Sequence, residues 1–111
     1  MDLNIIFATM NKTSGDISEL IKAHIQALDP YAEVIILFPQ GTGLHEEIQV
    51  YVFTNEKVDF SLEQQYMDAR YKVEIQSGQS LSLYTYSKEE WHQQFSETPI
   101  YQRVHCEGVC L

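Results

Sequence analysis

The chain is poor in basic residues: 7 Lys and Arg stand against 16 Asp and Glu over 111 residues, a net charge of −9. Such a surface repels nucleic-acid phosphates at long range. It therefore argues against a polynucleotide partner, and less strongly against ATP, which it could gather only through metal ions. Cysteine is scarce too. Cys106 and Cys110 are the only two; alone they cannot complete a structural zinc site, which takes about four ligands, and they read as plain reduced thiols. No apolar run approaches the ~20 residues of a membrane span. Leu3 to Thr9 is too short for a signal-peptide core, and Asp2 stands where a leader would be basic. A cytoplasmic protein without membrane contact is the expectation. No repeat, low-complexity tract or linker divides the chain, so residues 1–111 are expected to be one domain. No Ser/His/Asp or Cys/His arrangement for nucleophilic catalysis can be assembled.

Asp16 followed by Glu19 is a capping-box pattern and predicts a helix start. Ile17, Leu20, Ile21, Ile25 and Leu28 then share one helical face, and Asp29-Pro30 ends it. Val34 to Phe38 is a continuous apolar run rich in β-branched residues, the pattern of a strand buried on both faces. Pro39 stops its ladder. Gly41-Thr42-Gly43 reads as a turn. Ile48 to Phe53 is the next strand, with Ile48, Val50 and Val52 on one face and Gln49, Tyr51 and Phe53 on the other. Ser61 with Gln64 predicts a helix of about ten residues. Tyr71 to Gln76 alternates and predicts a strand, joined through a Ser77-Gly78-Gln79 hairpin turn to a partner strand over Leu81 to Tyr86. Ser87 caps a short helix carrying Trp91 and Phe95, and a last helix starts at Pro99 or Ile100 and ends at Gly108. Tyr51, Phe53, Tyr84 and Tyr86 form either an exposed aromatic patch of the kind that marks a partner surface or part of the core. His45-Glu46-Glu47 could hold one metal ion or be a solvated loop.

The run Ile35-Ile36-Leu37-Phe38-Pro39-Gln40-Gly41-Thr42-Gly43, followed by Glu47-Ile48-Gln49-Val50-Tyr51-Val52-Phe53, resembles the active-site hairpin of the minimal nucleotidyltransferase domain, the small DNA polymerase beta-type family. Asp29 to Phe38 looks like that family's helix-to-strand entry. Tyr86-Ser87-Lys88-Glu89-Glu90-Trp91, Thr98-Pro99-Ile100-Tyr101 and Glu107-Gly108-Val109 resemble the tail of a bacterial subgroup. The likeness covers roughly residues 16–111 and leaves residues 1–14 as an atypical N-terminal segment. It implies an α/β (α+β) nucleotidyltransferase fold, a small mixed β-sheet with helices packed mainly on one face.

The resemblance also implies an activity, transfer of a nucleoside monophosphate from a triphosphate to an acceptor hydroxyl. Two Mg2+ ions about 3.5–4 Å apart clamp the attacking and leaving oxygens. Carboxylates two apart on a strand and a third from a neighbouring strand hold them, and a Gly-Ser turn meets the phosphates. In this chain Glu47 falls at the first carboxylate and Gln49 at the second, where a neutral amide cannot bridge two cations. Glu74 is the best match for the third, so Glu47 and Glu74 are the metal candidates. Pro39 and Gln40 stand where Gly-Ser belongs, with Gly41 after them, and no Lys or Arg lies between Glu33 and Lys57. The expected protein is thus a catalytically degenerate pseudoenzyme without a cofactor, an interaction or antitoxin-like module paired with itself or with a helical HEPN-type partner. The alternative is an active, Mg2+-dependent nucleotidyltransferase.

Overall fold

The computed structural model describes residues 14–39 and 47–111. Residues 1–13 of the atypical opening segment, and Gln40, Gly41, Gly43, His45 and Glu46 of the loop, lie outside them. In chain order the elements are α1 (Ser14–Leu28), β1 (Glu33–Leu37), β2 (Ile48–Thr54), α2 (Phe60–Ser77), β3 (Leu81–Ser87), α3 (Lys88–Gln94), α4 (Pro99–Glu107) and β4 (Val109–Cys110). The strands form one mixed sheet in the order β3-β2-β1-β4. β1 runs antiparallel to β2 and to β4, whereas β2 and β3 are parallel. A parallel pair needs a crossover, and α2 supplies it.

Strand alternation divides the core in two. Val34, Ile36, Ile48, Val50 and Val52 point to one face, where Ile17, Ile21 and Ile25 of α1 and Tyr66 and Val73 of α2 cover them. Ile35, Leu37, Tyr51 and Phe53 point to the other, under Trp91 of α3 and Val104 of α4. Burying each isoleucine of α1 contributes roughly 1.5–3 kcal/mol. The apolar run in β1 is explained by this: Val34 to Leu37 are all buried because helices lie on both sides. The expectation of helices mainly on one face is therefore corrected. The two long helices do share a face, but α3 and α4 cover the opposite one.

A second correction concerns Tyr71 to Gln76, which belong to α2 and form no strand. Their alternation hid a helical stripe in which Tyr66, Ala69 and Val73 are the buried positions, while Tyr71 and Ile75 are exposed. Ser77-Gly78 is correspondingly a helix end and not a hairpin turn. Gly78 takes the left-handed conformation at φ 72°, which costs a glycine nothing sterically, and its N–H donates to the Glu74 carbonyl at 2.8 Å. The helix also starts before Ser61, because Asp59 is its N-cap and accepts from the Leu62 N–H at 2.8 Å.

Other boundaries fall where the capping residues place them. Ser87 accepts from the Glu90 N–H at 3.0 Å, and Thr98 accepts from the Tyr101 N–H at 3.3 Å with Pro99 opening α4. Asp29, just beyond α1, accepts from the Tyr31 N–H at 2.9 Å and from the buried Thr54 hydroxyl at 3.0 Å, tying the entry of β1 to the end of β2. Gly108 is required by close approach. A Cβ there would run into Ile35 Cγ2 and the Val104 carbonyl oxygen.

Candidate functional site

The β1–β2 hairpin opens beside a small cleft lined by Leu37, Phe38, Pro39, Glu47, Gln49 and Arg103, about 90 Å³ in volume. Pro39 follows the end of β1, and Glu47 and Gln49 lie at the start of β2. Three of the residues picked out from the sequence, Pro39, Glu47 and Gln49, thus meet in one place. Gln40 and Gly41 lie outside the described residues. Glu74 does not join the group. Its carboxylate accepts from the Leu81 N–H at 2.8 Å and lies 3.6 Å from Arg70. It belongs to α2, which packs on the face of Ile48 and Val50, whereas Gln49 alternates to the face of Tyr51 and Phe53. Glu74 is held at the start of β3 and does not line the cleft.

The polar groups in the cleft are engaged by residues outside its lining. Ser82 donates to Glu47 Oε2 at 2.5 Å, and the Tyr51 hydroxyl donates to Gln49 Oε1 at 2.8 Å. Burial, with Tyr84 and Tyr86 adding to it, pushes the Tyr51 hydroxyl up to about 12, so it remains a neutral donor at physiological pH. On the side of β2 away from β1 lies β3, and its register sets Ser82 opposite Gln49 and Tyr84 opposite Tyr51. Leu81–Ser87 contains no Asp or Glu. A third carboxylate from this neighbouring strand is therefore missing.

Arg103 is the residue the sequence pattern did not reveal. The loop after β1 carries no cation, but α4 brings one to the same cleft from the far end of the chain. It is anchored one turn on by Glu107, with Nε 3.2 Å from the carboxylate. No local signal marked it. Only the packing of Val104 and Gly108 against β1 turns this helix so that its single arginine borders Glu47 and Gln49.

The donor set does not fit a pair of Mg2+ ions. Glu47 is the one carboxylate lining the cleft among the described residues, Gln49 is neutral, and Arg103 adds a positive charge to the same lining. Magnesium is hard and favours charged oxygen ligands. Among the described residues no group of three or more His, Cys, Asp or Glu side chains could hold a metal ion. The aromatic patch resolves as core: Tyr51 and Phe53 are buried, and Trp91 packs on Phe53, Tyr86 and Phe95 at 4.9–5.5 Å. Tyr84 alone stays 41 % exposed, stacked on Tyr51 at 5.1 Å. No helix among the described residues is long and apolar enough to cross a membrane. Comparison with protein-family models, curated proteins and solved structures gives no match to this chain.

Proposed function

We propose that this chain is a nucleotidyltransferase-fold protein whose catalytic centre has degenerated, and that it works as an interaction module of the antitoxin-like kind. The supporting topology is a hairpin of antiparallel strands with the altered motif at its turn, followed by a helical crossover to a parallel strand. The observation that carries the reading is the emptiness of the carboxylate arrangement. Among the described residues Glu47 is the one carboxylate lining the cleft, Gln49 is hydrogen-bonded by Tyr51, and Glu74 is held on the Leu81 N–H outside that lining. Two-metal transfer needs bridging carboxylates on one side, and the described residues offer one there.

Calorimetric titration with ATP, GTP, CTP and UTP, each with Mg2+ and then Mn2+, tests the loss of function. The folded protein is expected to give no heat. Metal-dependent micromolar binding that disappears in Glu47→Ala would overturn the reading. Arg103 is the observation that favours the second reading, a metal-dependent nucleotidyltransferase still able to engage a triphosphate. In that case Arg103→Ala would weaken nucleotide binding at least about tenfold, since hydrogen bonds to a charged partner contribute about 1.5–3 kcal/mol.

A further inference from the structure

β3 is the outermost strand of the sheet, and among the described residues it has no neighbour on its outer side. Natural edges are protected by charge, proline or shortness. β3 has none of these: it is seven residues, Leu-Ser-Leu-Tyr-Thr-Tyr-Ser, without a charge or a proline. A groove of about 380 Å³ runs along it, lined by Leu83, Tyr84, Thr85 and Tyr86 and by Glu63, Gln64 and Met67 of α2. Four consecutive strand residues alternate between the two faces of the sheet. A groove that touches all four follows the edge of the strand itself.

The same flank of α2 is apolar. Phe60, Gln64, Met67, Tyr71 and Ile75 recur at helical spacing on one face. Four of them are large hydrophobics exposed by 76 %, 37 %, 59 % and 64 % for Phe60, Met67, Tyr71 and Ile75. Stripe and strand edge meet at the groove, through Gln64 and Met67.

We infer that this edge and stripe form one interface, occupied by a second copy of this chain whose β3 pairs antiparallel with this one. The inference rests on the interaction-module reading and names the partner. A two-fold axis between two β3 strands would join the sheets into one. It would also set α2 beside its copy on the same face, antiparallel, so that stripe meets stripe. A second copy fits because one two-fold axis pairs both features with themselves. β3 and the stripe carry no charge, so the contact itself desolvates none of their residues' charges, while Glu63 beside the groove and the net −9 of each copy oppose association at low salt. The size fits as well. Eighteen helical residues span about 27 Å and seven strand residues about 23 Å. With each element about 10 Å wide, the face is about 500 Å² in projection. That is close to the ~600 Å² per partner at the lower end of specific interfaces.

Sedimentation velocity of the full chain across concentration and salt is the test, with folding of each variant checked by circular dichroism. The wild type is expected to dimerise reversibly, and more tightly as salt screens the two acidic bodies. The double variant Tyr71→Glu/Ile75→Glu alters exposed positions only and is expected to raise the dissociation constant more than about 100-fold. Tyr84→Lys, a charge on the strand edge, should do the same without touching α2. A wild type that stays monomeric, or a dimer indifferent to both variants, overturns the inference. The interaction-module reading would then still stand for an unlike partner. Nucleotidyl transfer by an intact dimer would instead overturn that reading and leave the interface.

Discussion

Trp91 illustrates how much one side chain depends on a single partner. Its ring is buried, and its indole N–H donates to His105 Nε2 at 2.9 Å, so that nitrogen of His105 carries no hydrogen. His105→Phe removes the acceptor and leaves a buried donor unpaired, with an expected loss of about 1–3 kcal/mol in denaturant unfolding. His105→Gln, which restores an oxygen acceptor, should recover part of that loss. Trp91 is the only tryptophan, so its emission reports the same event directly. Tyr66 behaves in the opposite way. Its buried hydroxyl lies beside the Thr54 side chain but makes no hydrogen bond of good geometry with the described residues. Tyr66→Phe is expected to match the wild type in stability or exceed it by up to about 1 kcal/mol, because only an unpaired polar atom is lost.

At the scale of elements, the places where the sequence is easy or hard to read have physical causes. α1 was legible because Ile17, Ile21 and Ile25 repeat at one helical spacing, and β1 because an unbroken β-branched run has few alternatives. α3 and α4 were legible from their caps. α2 misled because Tyr71, Val73 and Ile75 alternate as a strand does, while only Val73 is buried. Its outward face carries aromatic and aliphatic residues where a solvated helix would carry charge, so the helical contrast is flattened. Mutation separates the two patterns. Val73→Ala should cost about 2 kcal/mol as a buried truncation, whereas Ile75→Lys should change the stability of the monomer by less than about 0.5 kcal/mol. A strand would have made both costly. The cleft was half legible. Pro39, Glu47 and Gln49 were picked out by the resemblance, and strand order sets them side by side, but Glu74 was misplaced with the strand it was assigned to, and Arg103 arrives only through tertiary packing. Gly108 marks that packing. Gly108→Ala is expected to destabilise by about 1–3 kcal/mol through overpacking against Ile35, measurable as a lowered denaturation midpoint.

For the whole molecule, the titration of buried tyrosines sets an upper pH limit. Burial is the main cause that pushes both Tyr51 and Tyr66 up to about 12 from an ordinary value of 10. The fold favours their neutral form, so this contribution is complete below about pH 10 and is lost as pH rises through about 12. Alkaline denaturation should therefore be cooperative with tyrosinate absorbance in that window, and Tyr66→Phe should shift its midpoint upward. The two tyrosines lie on opposite faces of the sheet, so ionising either one opens a different half of the core.

β4 has a consequence for the order in which the molecule assembles. This strand of two residues pairs Cys110 with Ile35 and Val109 with Ile36, and the Leu111 N–H reaches the Val34 carbonyl at 3.0 Å. The pairing closes a loop that holds most of the chain, an entropic cost that local contacts do not share. Its return is modest: both side chains of the strand are exposed, and Leu111 beyond it is only partly buried against the core. Docking of β4 is thus the step that non-local contact order delays most, and the first to reopen in the native state. The Leu111 amide should exchange with solvent deuterium far sooner than the amides of Val50 and Val52, and β1 should be an intermittently free edge at the side of the sheet opposite β3.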